Sequence, residues 1–493
     1  MFVARALVAL LLALLVATAS AEIPAAEARR QHEAGLALEK TGDLAAAAEA
    51  YRAALGLAPR FAEARDRLGF VLGQQGRTED ALLEFRRAIE ANPGLFDAQY
   101  HLGATLWWTG DAAAAVGPLA AAVALRPEEP GARYYLGTAL RETDRLKDAV
   151  AELREAVARA PGFAAARLQL GLALSDWGDR EGALAELRQA VDLAPGEVDA
   201  RNALGLALMQ NGEAEAAVTM LRALSQEHPE RSDFAQNLGA ALMQKGDLDG
   251  AIATYRALLA RDPPNALAFH NLGLALKQKD ALPEAEAALR RAAELAPTLP
   301  DPVYTLAVLL WQTSRPGEAA EACRATIART PDHAEAHYLL GTVLRQQGDT
   351  DGAIAEFRET IRIQPASAEA HLSLGQALRR KGERDASAAA LAEAERLNRR
   401  KVDRQAATFA MDLGKRRLGE GDVQGGVASL REAVQLAPDL AEAHLQLALA
   451  LDRQGASTEA LQHFEEARRL APYLRTQRRA AGRPSAALPI PHP

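Results

Sequence analysis

Small, apolar and proline residues recur along the chain with a period of 34 residues. Prolines stand at 59, 93, 127, 161, 195, 229, 263, 297, 331 and 365, and the step resumes at 438 and 472. When each proline is numbered position 32 of a repeat, position 7 is Leu in all but the first repeat. Positions 7, 8 and 11 are apolar or small and fall on one helical face. The pattern predicts thirteen repeats of two helices, A and B.

The repeat also specifies how the two helices end and pack. A Gly-Asp pair near position 15, as in Gly246-Asp247, recurs six times. Such a glycine can end helix A in the left-handed conformation, and the aspartate can cap helix B, which contributes about 1 kcal/mol. The proline at position 32 disfavours helix in the residue before it and so ends helix B. Gly or Ala at position 8, Ala at position 20 and a large residue at position 24 predict closely packed hairpins.

This register resembles the tetratricopeptide repeat family over most of the chain. The resemblance implies an all-α fold, a right-handed superhelical solenoid of about 13 helix-turn-helix repeats. It also implies that positions 2, 5, 6, 9, 12 and 13 of the A helices line a concave face. Members of the family usually act as protein-interaction scaffolds, so we expect no catalytic activity and no cofactor.

The 34-residue pattern is interrupted in two places. Arg399 replaces the expected proline, and residues 402–406 are five extra residues. We therefore expect repeats 1–11 within residues 22–401, a joint at 402–406, and repeats 12 and 13 within residues 407–474. Helix B of repeat 11 and helix A of repeat 12 should nearly fuse or meet at a kink near Asn398. Pro118 follows Gly117 inside a predicted helix, where we expect a kink or a frayed end.

Both ends of the chain fall outside the repeat. Residues 1–21 combine Arg5, an apolar stretch from Ala6 to Val16 and a small-x-small site at residues 19–21. That layout predicts a secretory signal peptide and hence export to the periplasm or the extracellular space, with an uncleaved anchor as the alternative. Residues 475–493 form a basic, proline-containing tail that we expect to be disordered.

Charge and cysteine content narrow the possible partners. The net charge of −8 and the pI near 5.8 argue against nucleic-acid binding. Residues 395–420 hold eight basic and four acidic side chains, so this region and the basic tail are either solvated or contact an anionic surface. The single cysteine, Cys323, excludes disulfides and cysteine-based metal sites, and its position 24 predicts a buried thiol.

Two sets of ionisable residues invite a catalytic or metal interpretation that the repeat explains better. His333 and His337 are four residues apart, but His337, His371 and His444 all occupy position 4, which predicts packing against the partner helix. Acidic residues recur at position 2, in the first turn of helix A, where they complement the helix dipole. We therefore predict no catalytic residues and no metal site.

The scarce aromatic residues concentrate at face positions. Tyr100, Trp107, Trp108, Tyr134 and Arg141 lie in repeats 3 and 4. Tyr304, Trp311, Tyr338 and Arg345 repeat the pattern 204 residues later, which indicates a duplicated six-repeat block. Tyr, Trp and Arg are the residues most enriched at binding hot spots, so we predict two ligand-binding patches. The alternative is that these rings pack between adjacent A helices.

The resulting interpretation is an exported, non-catalytic scaffold that binds a protein or extended peptide along the A-helix face. Asn237 and Asn271, both at position 6, are placed to hydrogen-bond a peptide backbone between the patches. The first alternative is an envelope polysaccharide-binding, assembly or export factor that stacks the same rings on sugars. An enzyme is the less favoured alternative. The partner's identity and the oligomeric state stay open at this stage.

Overall fold

A computed structural model describes residues 25–471, and these residues form helices joined by short turns, without strands. The predicted signal peptide and basic tail lie outside these residues. The chain divides into two compact units, one ending at Glu213 and the other beginning at Ala214.

The N-terminal unit contains eleven described helices, which alternate as helices A and B of successive repeats. They are α1 (25–41), α2 (Leu44–Leu57), α3 (Ala62–Gln74), α4 (Thr78–Ala91), α5 (Phe96–Trp108), α6 (Ala112–Leu125), α7 (Pro130–Glu142), α8 (Leu146–Arg159), α9 (Ala164–Asp176), α10 (Arg180–Leu193) and α11 (Val198–Gln210). From α3 onward the odd-numbered helices of this unit occupy positions 1–13 of a repeat, and the even-numbered helices begin at position 17.

The C-terminal unit contains fourteen described helices. They are α12 (Ala214–Glu227), α13 (Ser232–Lys245), α14 (Leu248–Arg261), α15 (Ala266–Gln278), α16 (Leu282–Leu295), α17 (Pro300–Gln312), α18 (Pro316–Arg329), α19 (Ala334–Gln347), α20 (Thr350–Ile363), α21 (Ala368–Lys381), α22 (Arg384–Gly419), α23 (Val423–Leu436), α24 (Ala441–Arg453) and α25 (Ser457–Leu470). The alternation of helices A and B continues here with one exception, α22.

The turn inside each Gly-Asp repeat has the predicted geometry. Gly246 ends α13 with a φ of 87°, in the left-handed region. The side chain of Asp247 then accepts a hydrogen bond of 2.9 Å from the backbone N–H of Gly250 and caps α14. All six predicted glycines have positive φ, and all six aspartates cap helix B in this way. The local prediction is confirmed.

Helices A and B of a repeat approach most closely at position 8. A Cβ atom added to Gly273 would lie 2.6 Å from Cγ of Leu289, which occupies position 24 of the same repeat. A Cβ atom added to Gly414 would lie 3.0 Å from the carbonyl oxygen of Gly426 at position 20. The first distance is shorter than carbon atoms tolerate and the second is very tight, so glycine is favoured at position 8 of these hairpins.

Repeat 9 satisfies the same constraint with a different pair of residues. Position 8 is Ala307, which is fully buried, and position 24 is Cys323, the smallest residue found at that position. In repeat 9 the extra methyl group of the alanine faces a smaller side chain, whereas repeat 13 combines the buried Ala448 with Phe464 at position 24. The thiol of Cys323 is inaccessible, and burial raises its pKa to about 12. The predicted buried thiol is confirmed.

The joint between repeats 11 and 12 is a single helix, α22, of 36 residues. It combines helix B of repeat 11 with helix A of repeat 12, so the prediction of fusion is correct. No proline or glycine occurs between Arg384 and Leu413, and Arg399 stands where the terminating proline is expected. The inserted residues 402–406 therefore extend the helix rather than form a loop.

Of the two outcomes expected at Pro118, a kink or a frayed end, the frayed end is wrong, because α6 runs unbroken from Ala112 to Leu125. Proline removes only the hydrogen bond to the carbonyl four residues earlier, on Ala114. Ala114 is exposed, so water can satisfy that carbonyl. Gly117 beside it has open space where a side chain would stand. The proline therefore lies on the side of α6 where a missing bond is tolerated.

We predict that Gly273→Ala lowers the free energy of unfolding by about 1–3 kcal/mol, because the new methyl group overlaps Leu289. The penalty should shrink in a Leu289→Cys background, which reproduces the pair found in repeat 9. Gly117→Ala, in open space on α6, is the matched control and should not destabilise. Urea unfolding followed by circular dichroism measures the wild type, the two single variants, the double variant and the control. An equal penalty in both backgrounds would contradict the close-approach explanation.

We also predict that Cys323 does not react with a maleimide at pH 8 in the folded protein, because it is buried and its pKa is raised to about 12. The same thiol should react stoichiometrically in 8 M urea. Gln312→Cys places a second thiol at an exposed position of α17 and should add one fast-reacting equivalent. Mass spectrometry of the labelled protein counts the modified thiols. Rapid labelling of Cys323 under native conditions would contradict the prediction.

Candidate functional site

Consecutive A helices are linked along one face by side-chain pairs that lie 35 residues apart. Some of these pairs join position 5 of one repeat to position 6 of the next. Examples are Nδ1 of His101 with Oδ1 of Asp66 at 2.8 Å, Nε2 of His270 with Oγ1 of Thr305 at 3.0 Å, and the hydroxyl oxygens of Tyr338 and Ser373 at 3.3 Å. Positions 5 and 6 therefore do share one face, as the repeat register predicts.

A second row of pairs joins position 12 of one repeat to position 13 of the next. Trp107 donates its indole N–H to Glu142 over 2.9 Å. Arg141 forms an ion pair of 3.1 Å with Asp176, and Ser175 donates to Gln210 over 3.1 Å. The two rows hold neighbouring A helices in fixed register, so the side chains between them are held in place.

Five aromatic residues on α5 and α7 form a continuous cluster, which we call the N-terminal aromatic cluster. Its members are Tyr100, Trp107, Trp108, Tyr134 and Tyr135. The ring centroids of Tyr135 lie 5.8 Å from Tyr100, 5.4 Å from Trp107 and 5.0 Å from Tyr134, and Trp107 lies 5.4 Å from Trp108. Tyr135 is thus the centre of the cluster. It was missing from the residues predicted from the sequence, although it occupies position 6 of the predicted face.

Trp108 is the exposed member of this cluster, with 71% of its surface accessible. Its indole nitrogen lies 3.4 Å from the hydroxyl oxygen of Tyr135, and its ring meets Trp107 edge to face. The other four rings are half-buried. Burial raises the pKa of Tyr100 to about 12 and also raises that of Tyr134, so both phenols are neutral at physiological pH. The cluster therefore offers an uncharged aromatic surface.

The matching residues of the C-terminal unit do not form a second cluster. The ring of Tyr304 contacts His333 at 4.7 Å, and Tyr338 contacts the core residue Phe357 at 5.7 Å. In the described part of the chain, Trp311 makes no ring contact with either tyrosine. Arg345 lies 5.9 Å over the ring of Phe357 and donates to Gln376 over 2.9 Å. For these residues the structure favours packing between neighbouring helices.

Two substitutions between the blocks explain this difference. The counterpart of Tyr135 is Leu339, and the counterpart of Trp108 is Gln312. The C-terminal block therefore lacks both the central ring and the exposed ring. Its charge also differs, because the counterparts of Glu142 and Asp176 are Gln346 and Arg380. The face around Trp311 is accordingly more basic than the face around Trp107.

The two predicted asparagines lie on neighbouring A helices of the C-terminal unit. Asn237 belongs to α13 and Asn271 to α15, and both side chains are half-buried at position 6. They share the face that bears Tyr304 and Trp311.

The histidines at position 4 act as packing residues. His337 is buried, with Nδ1 at 2.6 Å from a carboxylate oxygen of Glu356 on helix B and Nε2 at 2.9 Å from the carbonyl oxygen of Pro331. His444 makes the equivalent contacts with His463 and Pro438. His371 is half-buried and reaches the carbonyl of Pro365. Packing against the partner helix is confirmed for His337 and His444.

Arginine performs the same function as histidine in other repeats. Arg65, Arg133 and Arg167 occupy position 4, donate to the carbonyl of the preceding proline and pair with a glutamate on helix B. Within residues 25–471 no group of three or more His, Cys, Asp and Glu side chains is arranged to hold a metal ion. Among the helices of the same residues, none combines the length and apolar character needed to cross a membrane.

Several solved structures resemble the chain over a third or more of its length. A MamA crystal structure is 30% identical and covers 34% of this chain and 96% of its own, with a TM-score of 0.32. YrrB, described as a tetratricopeptide repeat protein with an unusual peptide-binding site, is 26% identical over 34% of this chain and 88% of its own, with a TM-score of 0.33. The Cut9-Hcn1 structure is 13% identical over 91% of this chain and 94% of its own, with a TM-score of 0.33.

A comparison with curated protein sequences finds no match. The tetratricopeptide repeat model matches eight overlapping segments, which together span well over half of the chain. They are residues 32–96, 67–130, 100–164, 168–232, 202–266, 237–300, 304–368 and 411–474. The matches follow the same 34-residue register as the helices, and the predicted all-α array of helix-turn-helix repeats is confirmed. The chain belongs to the tetratricopeptide repeat family.

Proposed function

We propose that the chain is an exported, non-catalytic scaffold that binds an extended segment of a partner protein at the N-terminal aromatic cluster. Membership of a family of protein-binding scaffolds supports the general function. The observation that carries the specific proposal is the exposure of Trp108 on top of four half-buried rings. A large aromatic side chain left in water is unfavourable unless a partner covers it.

The cluster is organised before a ligand arrives. Trp108 contacts Trp107 and Tyr135, and Trp107 is held by its hydrogen bond to Glu142. Rings that are already fixed lose little conformational entropy on binding, so more of the contact energy appears as affinity. Tryptophan and tyrosine in such settings are the commonest binding hot spots.

The charges beside the cluster favour a particular ligand composition. Glu142 is exposed, and Asp176 is only half covered by its ion pair with Arg141. The rings supply a π-surface that attracts cations, and the carboxylates add to that attraction. The expected ligand is therefore an extended peptide with an apolar or aromatic residue next to Lys or Arg.

A sugar ring is the competing ligand, because the exposed face of Trp108 is also suited to stack on a carbohydrate. The carboxylates of Glu142 and Asp176 are likewise able to accept hydrogen bonds from sugar hydroxyls. The proposal favours a peptide because the paired basic and acidic groups at the edge of the cluster add charge recognition, which neutral glycans do not use.

We predict that Trp108→Ala weakens peptide binding at least tenfold without changing the helical circular dichroism, since the side chain is mostly exposed. An array of ten-residue peptides that vary in aromatic and basic content, together with an array of neutral oligosaccharides, supplies the ligands. Leu267→Ala removes a 51% exposed apolar side chain of α15 and is the matched control. Binding to oligosaccharides alone, or equal losses in both variants, would refute the peptide proposal.

We predict that the protein is exported and cleaved when it is produced in a secreting cell, so its first residue after purification identifies the outcome. Cleavage after Ala21 should leave Glu22 as the first residue, which intact mass spectrometry of the cell fractions determines. Ala19→Arg should block cleavage, because the small residue before the site is lost. A wild-type protein that retains Met1 and remains with the membrane fraction would favour the uncleaved anchor instead.

A further inference from the structure

Several interfaces between successive repeats follow one rule. Position 21 of helix B packs against positions 3 and 7 of the next helix A. Between repeats 12 and 13, for example, Val427 shares one apolar cluster with Ala443 and Leu447. Between repeats 4 and 5, Val150 likewise clusters with Ala166 and Leu170.

The burial of the side chain at position 3 shows where a preceding helix B covers helix A. It is buried in repeats 2–11 and in repeat 13. The residues are Ala64, Ala98, Ala132, Ala166, Ala200, Phe234, Ala268, Pro302, Ala336, Ala370 and Ala443. In repeat 12 the residue is Phe409, and 72% of its surface is exposed. Leu413, at position 7 of the same repeat, is only half-buried, although Leu447 and its other counterparts are buried. Repeat 12 therefore exposes the face that every neighbouring repeat covers.

The complementary face of repeat 11 is exposed as well. Position 21 is buried in most repeats, as Val150, Ile354 and Val427 show. In repeat 11 it is Ala388, which is exposed, and Val402 farther along α22 is 61% exposed. Both halves of one repeat interface are thus open to solvent.

The continuous helix is the reason that these halves do not meet. Both lie on α22, the first near its beginning and the second after the joint at residues 402–406. A helix of 36 residues is about 54 Å long, at 1.5 Å per residue. Two faces on the same straight element cannot fold onto each other, so repeat 12 has no preceding helix B to cover it within this chain.

We propose that a second copy of this chain covers both faces by reciprocal exchange. Helix A of repeat 12 in one copy packs on helix B of repeat 11 in the other, and the same contact forms a second time. The exchange recreates twice the interface that repeats 12 and 13 already display. A two-fold arrangement uses both faces of both copies and leaves none open, which is the usual outcome of swapping an identical element.

The side chains on the two faces complement each other in size. Position 3 is alanine in most repeats, whereas repeat 12 carries the large ring of Phe409. Position 21 is a branched residue in most repeats, whereas repeat 11 carries the small Ala388. An exchange of large for small across one interface preserves its volume, as the Ala307–Cys323 pair does within repeat 9. An unrelated partner would need to match two separate faces at once.

The charge at the joint opposes this contact and makes it sensitive to salt. Arg399 is paired with Glu395, and Arg400 and Arg404 share Asp439. The charges of Lys401 and Asp403 offset each other, and the two arginines that share Asp439 leave an excess of positive charge at the joint. Two joints brought together repel each other, and added salt should screen that repulsion and strengthen the dimer.

Sedimentation equilibrium of residues 22–493 tests the proposal directly, with a dimer as the expected result. Phe409→Arg should raise the dissociation constant at least tenfold and leave the helical circular dichroism unchanged, because the side chain is exposed in a single copy. Leu267→Arg, an equally drastic change at an exposed site of α15, should leave the dimer intact. A monomeric wild-type chain, or equal effects of the two variants, would overturn the proposal.

Three further variants keep the test independent of any misfolding of Phe409→Arg. Arg399→Pro combined with deletion of residues 402–406 restores the ordinary turn and should give a monomer. Ala388→Cys and Phe409→Cys, each in a Cys323→Ser background, should form a disulfide between copies when mixed and oxidised. Persistence of the dimer in the deletion variant, or cross-linking only within a chain that carries both cysteines, would contradict the exchange.

Discussion

The close approach of helices A and B at position 8 is the constraint on which the repeat structure depends. Gly273 lies so near Leu289 that an added methyl group would overlap it, and a Cβ atom on Gly414 would lie 3.0 Å from the backbone oxygen of Gly426. Because this contact recurs in hairpins of different sequence, it sets a similar spacing between helices A and B in most repeats. This similar spacing in turn aligns the A helices, so that residues 35 apart meet. The hydrogen bond from Trp107 to Glu142 is one product of that alignment.

A second constraint is that no hairpin covers its own apolar face. Solenoid repeats gain their stability from the neighbours that bury this face, and unburied faces must be capped or shared. Ala443 and Leu447 satisfy the rule, whereas Phe409 and Ala388 violate it. The exposure of these two residues does not come from an irregular stretch of chain, since α22 is continuous and the repeats on both sides of it are regular. It is a complete interface divided between the two halves of one helix.

The sequence predicted those features that are decided within one repeat. Gly246 and Asp247 take their predicted conformations because a left-handed residue and a helix cap need only nearby backbone. Fusion at α22 was predictable for the same reason, since it follows from the missing proline at Arg399. The effect of Pro118 was not, because it depends on whether the carbonyl of Ala114 faces solvent. That information arises only when α6 is packed in its unit.

In the candidate site, too, residue spacing predicted part of the arrangement, and the neighbouring side chains decided the rest. Spacing correctly placed Tyr100, Trp107 and Tyr134 on one face, but it also predicted an equal patch around Trp311. In the described residues a second ring cluster does not form there, because Leu339 stands in place of the central Tyr135. Periodicity identifies what the repeats have in common, and this common part builds the scaffold. Recognition depends on the few positions where duplicated repeats differ. Tyr135 and Phe409 stand at such positions, and their surroundings cannot be read from the 34-residue period.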